Sequence, residues 1–369
     1  MTAQLLSIGT AVPSAALSQR ATRDFFREQP AVDRLTARLI GAAFDQSAID
    51  TRYSVIGSIG EGGSRFTDDE QHLRTPSTGE RNALYRAEAP PLSLAAARDA
   101  LDRADRDPSD VTHVVTASCT GFFAPGPDYL LVTQLGIPTT AERYHIGFMG
   151  CAAGFPALRT AARICAAQPG AVVLVVCTEL CSLHIRSSRD PEQIVASAVF
   201  GDGAGAAIVA SDERPASGPF FDIGAFTTNI TSEGAEDMDW TIGDHGFEMR
   251  LTAQVPRIIG REIDGVVTRM LGDGVDPLTS VDAWGVHPGG RSVLDQVQSG
   301  LGLPDAAMTP SRDVLREYGN MSSATILFIL QRILADDSLP DGARVAGLCF
   351  GPGLTVETVA LTRNAPAAA

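Results

Sequence analysis

Two short strings recur in this chain at one spacing. Gly147-x-Met149-x-Cys151 returns as Gly319-x-Met321-x-Ser323, and 323 minus 151 is 172. Gly170-Ala171-x-Val173-x-x-x-Cys177 returns as Gly342-Ala343-x-Val345-x-x-x-Cys349, and 349 minus 177 is again 172. Each string sits at a helix start or in an apolar strand, so a shared offset reads as a duplicated βα unit. Such a chain is constrained to fold as two related halves packed about a pseudo-twofold axis. The helix start carrying Cys151 and the one beside Asn320 would then approach that axis, with a site between the halves. The first half is read as residues 1–212, carrying Cys151, and the second as 213–369, carrying His287 and Asn320. Residues 212–219, dense in Pro, Gly and Ser, are the linker.

Hydrophobic periodicity places the elements. A first strand covers 4–12 and helical spacing runs through 20–44. Residues 52–60 are extended, 61–76 form a polar surface loop, and an alanine-rich helix occupies 80–103, before Asp107-Pro108. The run 111–118 is a buried strand, 128–135 a helix, and 171–177 an almost wholly apolar strand, as in the centre of a two-sided sheet. Gly201-Asp-Gly-Ala-Gly205 reads as a tight turn opening a strand over 206–210. No Gly-Lys-Ser/Thr follows it, so it is a weak phosphate cradle. In the second half, strands at 221–229, 281–286, 344–349 and 354–361 accompany helices at 253–271, 292–301, 313–318 and 321–334, with an acidic loop at 233–239.

Composition narrows the function. With 29 basic and 44 acidic residues the net charge is −15, which argues against nucleic acid or an anionic membrane as a partner held by bulk attraction. No run approaches a membrane span, and the first residues have neither the basic lead nor the apolar stretch of a signal peptide. A cytoplasmic protein is expected. The six cysteines form no CxxC pair, so neither a metal site nor a disulfide framework is expected.

Cys151 carries the strongest chemical signal. Phe155, Leu158, Ala162 and Cys165 follow it at helical spacing, and Pro156 suits a first turn whose N–H groups have no partners. A thiol at a helix start is exposed to the positive end of the dipole, which would lower its pKa and make a nucleophile. The competing reading is a small buried hydrophobe. Among six histidines, His72 lies in the polar loop, His113 inside a strand and His145 on the strand entering the Cys151 turn. His287 closes an apolar strand and opens a Pro-Gly-Gly turn, where α/β sheets display functional groups, although a loop histidine often only bonds backbone. Asn320 stands at the second repeated helix start, either as a cap or as an N–H donor to a developing oxyanion.

Gly150-Cys151, Val175-Val-Cys-Thr-Glu179, Phe200-Gly-Asp-Gly203, Val286-His-Pro-Gly-Gly290, Glu317-Tyr-Gly-Asn-Met-Ser-Ser323 and Phe350-Gly-Pro-Gly-Leu-Thr-Val-Glu-Thr358 together resemble the type III polyketide synthases, the chalcone-synthase-like family. The resemblance runs from about 111 to 361 and is weaker before that. It implies an α/β fold of the thiolase type, αβαβα with two pseudo-duplicated halves, and a homodimer. It also implies a Cys–His–Asn triad at Cys151, His287 and Asn320. Cys151 would accept an acyl starter, helped by an ion pair with His287, while His287 and Asn320 hold the malonyl carbonyl as CO₂ leaves. Acyl-CoA and malonyl-CoA are then the substrates, and no metal or redox cofactor is needed.

The resemblance also places residues on the cavity. Phe200 matches one of two gating phenylalanines, and Met249 stands at the other position. Trp240 and His184 replace small residues, which disfavours an aromatic starter and a flavonoid-type product. Cys119, Ser322, Gly351 and Pro352 complete the expected substrate contacts. Residues 39–46 lack the basic side chains that plant members set near the coenzyme A phosphates. Arg52 and Arg291, with Arg38, are the substitutes, and an acyl carrier protein is an alternative donor. The expected product is a pyrone, resorcinol or related phenol. A single-condensation β-ketoacyl-carrier-protein synthase and a catalytically silent scaffold subunit are the competing readings. The Gly351-Pro-Gly-Leu-Thr-Val-Glu-Thr ending disfavours the first and the intact triad the second.

Overall fold

The computed structural model describes residues 3–57, 59, 64–212 and 214–365. The first half runs β1 (Gln4–Ala11), β2 (Ala15–Ser18), α1 (Gln19–Arg27), α2 (Arg34–Asp45), β3 (Thr51–Ser54), α3 (Thr78–Ala104), β4 (His113–Ser118), α4 (Pro127–Leu135), β5 (Glu142–Gly147), α5 (Gly154–Ala167), β6 (Val172–Leu180), α6 (Pro191–Val199) and β7 (Asp202–Ala210). The second runs β8 (Phe220–Ile230), β9 (Met238–Gly243), β10 (Gly246–Leu251), α7 (Gln254–Leu271), α8 (Pro277–Ser280), β11 (Ala283–Val286), α9 (Arg291–Leu301), α10 (Thr309–Tyr318), α11 (Thr325–Leu334), β12 (Ala343–Gly351) and β13 (Thr355–Asn364).

The duplication is visible in the strand order. One nine-stranded mixed sheet runs β11-β12-β13-β8-β1-β7-β6-β4-β5. Outward from its middle, β1, β7, β6 and β4 pair antiparallel, antiparallel, then parallel, and β8, β13, β12 and β11 repeat that pattern. The halves join where β1 meets β8, through only Gln4–Asp222 and Leu5–Phe221. Helices α5 and α11 share one buried core with strands of both halves, forming the inner helical layer. Two further apolar clusters pack α1 to α4 and α6 against the first half and α7, α9 and α10 against the second.

The inner helices cross very closely. A Cβ at Gly154 would lie 2.7 Å from Ile326 Cγ2, and 326 minus 154 is 172, so the crossing involves equivalent positions. Glycine is required there because a larger residue would push apart the two helix starts that carry the site.

Several local expectations need correction. The helical pattern over 20–44 is two helices: Pro30 follows the first, and Asp33 caps the second by accepting from Thr36 N–H at 2.8 Å. Gly201-Asp-Gly-Ala-Gly205 is not a turn. Strand β7 is already formed at Asp202, and its glycines make room for the inner layer, since a Cβ at Gly203 would meet Met321 Sδ at 2.4 Å. In the loop expected at the surface, Phe66 is buried, with the Arg81 guanidinium 5.1 Å from its ring centre. The start of that loop and the end of the preceding extended stretch lie outside the described residues. Among the described residues no helix is long and apolar enough to cross a membrane.

Candidate functional site

Cys151 occupies a single 3-10 turn, Gly150–Ala152, that runs into α5. Its counterpart, Ser322–Ala324, runs into α11. Asn320 precedes that second turn and is fixed by backbone pairing with Phe200: Asn320 N–H donates to Val199 O at 2.8 Å and Gly201 N–H to Asn320 O at 2.9 Å. Its side-chain Oδ1 accepts from Ser322 N–H at 2.8 Å. The amide is thereby oriented, and Nδ2 faces Cys151 Sγ at 3.8 Å. Asn320 thus serves as a local turn former and still presents a donor to the sulfur.

His287 follows β11, its backbone N–H held by Leu348 O at 2.8 Å. Its ring is fully buried, and neither Nδ1 nor Nε2 has a hydrogen-bond partner. Two unpaired nitrogens on one buried ring are unusual, because each unmade bond costs about 1–3 kcal/mol. The ring does not bond Cys151 or Asn320. Gly289, two residues on, lines the same cavity as Cys151 and Asn320.

Burial dominates the electrostatics. It pushes the Cys151 thiol up to about 11, although bonding from Ser322 and Asn320 pulls the other way. It pushes the His287 imidazole down to about 3. The expectation of a thiol lowered by the helix dipole is therefore overturned: desolvation of the charged form outweighs the first-turn N–H groups. Burial thus disfavours the charged form of each group in the absence of substrate.

The cavity around Cys151 is narrow, about 40 Å³. Phe200, Met249, Cys119, His184, Trp240, Ser322 and Pro352 all line it. Gly351 is not on its wall. It packs behind the Cys151 turn, where a Cβ would lie 2.8 Å from Ala152 Cβ. His184 and Trp240 form one interlocked wall with Phe247. His184 Nε2 bonds Thr120 O at 2.7 Å, its Nδ1 accepts from Phe247 N–H at 3.0 Å, and its ring stacks on Phe247 at 4.2 Å. These bonds set the tautomer with the proton on Nε2, and burial takes the imidazole down to about 3. Trp240 Nε1 donates to Cys119 O at 2.6 Å.

Glu179 is a site residue that spacing did not reveal. Fully buried at the end of β6, its carboxyl accepts from Cys119 N–H at 3.0 Å, Thr120 Oγ1 at 2.8 Å and Ser323 Oγ at 2.5 Å, binding the first half's cavity loop to the second half's turn. Burial holds this carboxyl above its ordinary value. In the sequence it closes the Val175–Glu179 string that carries the resemblance, an acidic residue near the end of a largely apolar strand.

The proposed phosphate contacts fare differently. Arg52 is 2% exposed, and Nη1 donates to Ser197 O at 2.9 Å and Phe200 O at 2.6 Å. It is a structural strut and not available to a surface phosphate. Arg291 is exposed and lies 3.4 Å from Asp295 on the first turn of α9. All six cysteines are free and buried.

Residues 1–213 match the family model for the N-terminal domain of chalcone and stilbene synthases, and residues 223–365 the model for the C-terminal domain. The chain is 32% identical over 359 residues to "Probable polyketide synthase 1" of Dictyostelium discoideum, covering 96% of this chain and 11% of that protein. It therefore spans about a tenth of that relative's length. The C-terminal type III polyketide synthase domain of a type I/III hybrid from Dictyostelium superposes with a TM-score of 0.90 at 29% identity, covering 98% of this chain and 99% of that one. The 1,3,6,8-tetrahydroxynaphthalene synthase of Streptomyces coelicolor A3(2), a bacterial type III polyketide synthase, gives 0.86 at 26%, with 98% and 99% covered. With both domain models matched in order along nearly its whole length, this chain belongs to the chalcone and stilbene synthase family, the type III polyketide synthases.

Proposed function

We propose that the protein builds a poly-β-ketone from malonyl-CoA on an acyl starter carried by Cys151, and cyclises it to a small phenol or pyrone. The observations that carry the reading are the Asn320 amide, which faces the Cys151 sulfur at 3.8 Å, and the buried His287 ring, whose two nitrogens have no hydrogen-bond partner. A thioester oxygen is a partner for that ring, and one the Asn320 amide can share. In loading, the Cys151 thiol passes its proton to His287, the sulfur attacks the acyl carbonyl, and the coenzyme A thiolate leaves with that proton. In extension, the malonyl C–CO₂ bond breaks and its electron pair moves onto the thioester oxygen. The neutral His287 N–H and Asn320 Nδ2–H hold that enolate oxygen, donors of a kind that contribute about 3 kcal/mol each. The enolate carbon then displaces Cys151 from the acyl group, and the lengthened chain returns to the sulfur for the next round.

The residues require no metal or redox group for this chemistry. Six unpaired buried thiols suit a reducing compartment, the cytoplasm. A homodimer would seat on β5, an edge strand exposed along most of its length, beside Phe122, Phe148 and Met149. The starter arrives on coenzyme A or on a carrier protein.

The test separates the two steps. With labelled malonyl-CoA, Cys151→Ala should abolish chain extension and still release CO₂, whereas Asn320→Ala should lower CO₂ release by roughly 100-fold. Undiminished product from Cys151→Ala would overturn the reading.

A further inference from the structure

A groove of about 620 Å³ leads to the cavity, and its charges do not suit a polyphosphate. Leu39 and Ala42 of α2, Val195 of α6 and the start of α9 wall it, while Leu251 and Gly289 line both groove and cavity. Its charged lining residues are Glu192, Asp295 and Arg291. Glu192 lies 4.0 Å from Arg250, and Asp295 lies 3.4 Å from Arg291 and 2.7 Å from Arg312, so the charges of the interior are engaged with one another and none stands free for a phosphate. A neutral arm fits there better than a polyanion.

The rim differs. Leu35, Leu39 and Val195 are 66%, 38% and 37% exposed. Arg34 and Arg38 lie one turn apart on the face of α2 that also carries Ala42, and Arg257 follows the groove residue Pro256; all three are exposed. Among the described residues none of these three arginines has a carboxylate within 4.0 Å. Their neighbours Arg23, Arg189 and Arg250 are each paired, with Asp45, Asp33 and Glu192. Exposed aliphatic side chains beside unengaged guanidinium groups are the composition of a protein interface, not of a solvated face.

We infer that this rim docks an acidic carrier protein, whose phosphopantetheine arm enters the groove and presents its thioester to Cys151. The inference rests on the acyl-Cys151 reading above. At transfer the Cys151 S–C bond forms, the arm's S–C bond breaks, and the arm's thiolate takes the proton that left Cys151. The chain's overall charge of −15 opposes an acidic partner only at long range, because physiological salt screens beyond about 8 Å. At contact the local arginines decide.

Three thioesters of one acyl group test this: the N-acetylcysteamine ester, which has only the end of the arm, the CoA ester, and a phosphopantetheinylated bacterial acyl carrier protein bearing the acyl group. Cys151 acylation is followed by intact mass in the full chain, in Arg38→Glu and in Leu35→Asp. Both variants should lower carrier-dependent acylation at least ~10-fold and change the N-acetylcysteamine rate by less than ~2-fold. Carrier transfer should also weaken as salt rises while the N-acetylcysteamine rate holds. Equal losses for CoA and carrier would make the rim a phosphate seat and overturn the inference, as would unchanged carrier transfer in both variants. If the N-acetylcysteamine ester fails to acylate the unmodified chain while alkylation shows Cys151 reactive, the acyl-Cys151 reading falls and the docking face with it.

Discussion

Gly150 and Ser322 share a left-handed backbone, with φ of 58° and 49°, and 322 minus 150 is 172. The two 3-10 turns at the heart of the site are therefore copies, and one copy carries a side chain where that backbone favours glycine. A Cβ at Gly150 would lie 2.4 Å from Pro352 Cδ, whereas Ser322 keeps a hydroxyl 3.3 Å from Cys119 Sγ. Gly150→Ala should lose about 1–3 kcal/mol in urea unfolding. Ser322→Gly should gain up to about 1 kcal/mol while turnover falls, stored strain being exchanged for a lost contact. Equal stabilities for both variants would contradict this account.

The resting thiol should behave as a thiol. With Cys151 raised to about 11 by burial, its thiolate fraction rises about tenfold per pH unit between pH 6 and 9. Alkylation of the ligand-free protein by iodoacetamide, read as mass added at Cys151, should follow that slope. A rate already flat from pH 6 to 8 would reveal a preformed ion pair with His287.

Arg52 offers a test of strut against ligand. Replacing it with Met leaves the buried Ser197 and Phe200 carbonyls unpaired and should cost about 2–5 kcal/mol. In the fraction that remains folded, KM for a CoA thioester should stay within about twofold. A large rise in KM with unchanged stability would restore Arg52 as a phosphate contact. Arg52→Lys should restore part of that loss, since both carbonyls accept from the single Nη1 and an ammonium placed there has donors for both.

Trp240 separates bulk from bonding. Trp240→Phe keeps a ring but drops the N–H that meets Cys119 O at 2.6 Å, and should speed amide exchange across β9 and β10. Trp240→Gly should widen a cavity of only about 40 Å³ and shift products to higher mass, with more extensions. Identical product masses from both variants and the parent would show that this wall does not set chain length.

Much of this architecture could be read from residues because it repeats or alternates. The offset of 172 located both 3-10 turns, the apolar runs located β6 and β12, and Pro156 marked the start of α5. What escaped depends on distant partners. Arg52 is exposed or buried according to carbonyls 145 and 148 positions away. The glycines of β7 resemble a turn until α11 and its preceding turn are laid across them. The thiol's acidity was misjudged because a helix start is local and visible, whereas exclusion of water from Cys151 is a property of the packed whole. Phe247 carries no motif and matters only because a hairpin folds back onto His184.

The position of β1 has a consequence for synthesis. This strand leaves the ribosome some 200 residues before β7 and β8, the strands that complete it. At translation rates of about 5–20 residues per second it waits roughly 10–40 s with both edges open. Ribosome-bound chains halted before residue 202 should therefore stay sensitive to protease at Gln4–Ala11 and recruit chaperones, and chains released past residue 230 should lose both properties. Protection already present in the shorter nascent chains would mean that β1 finds another partner first.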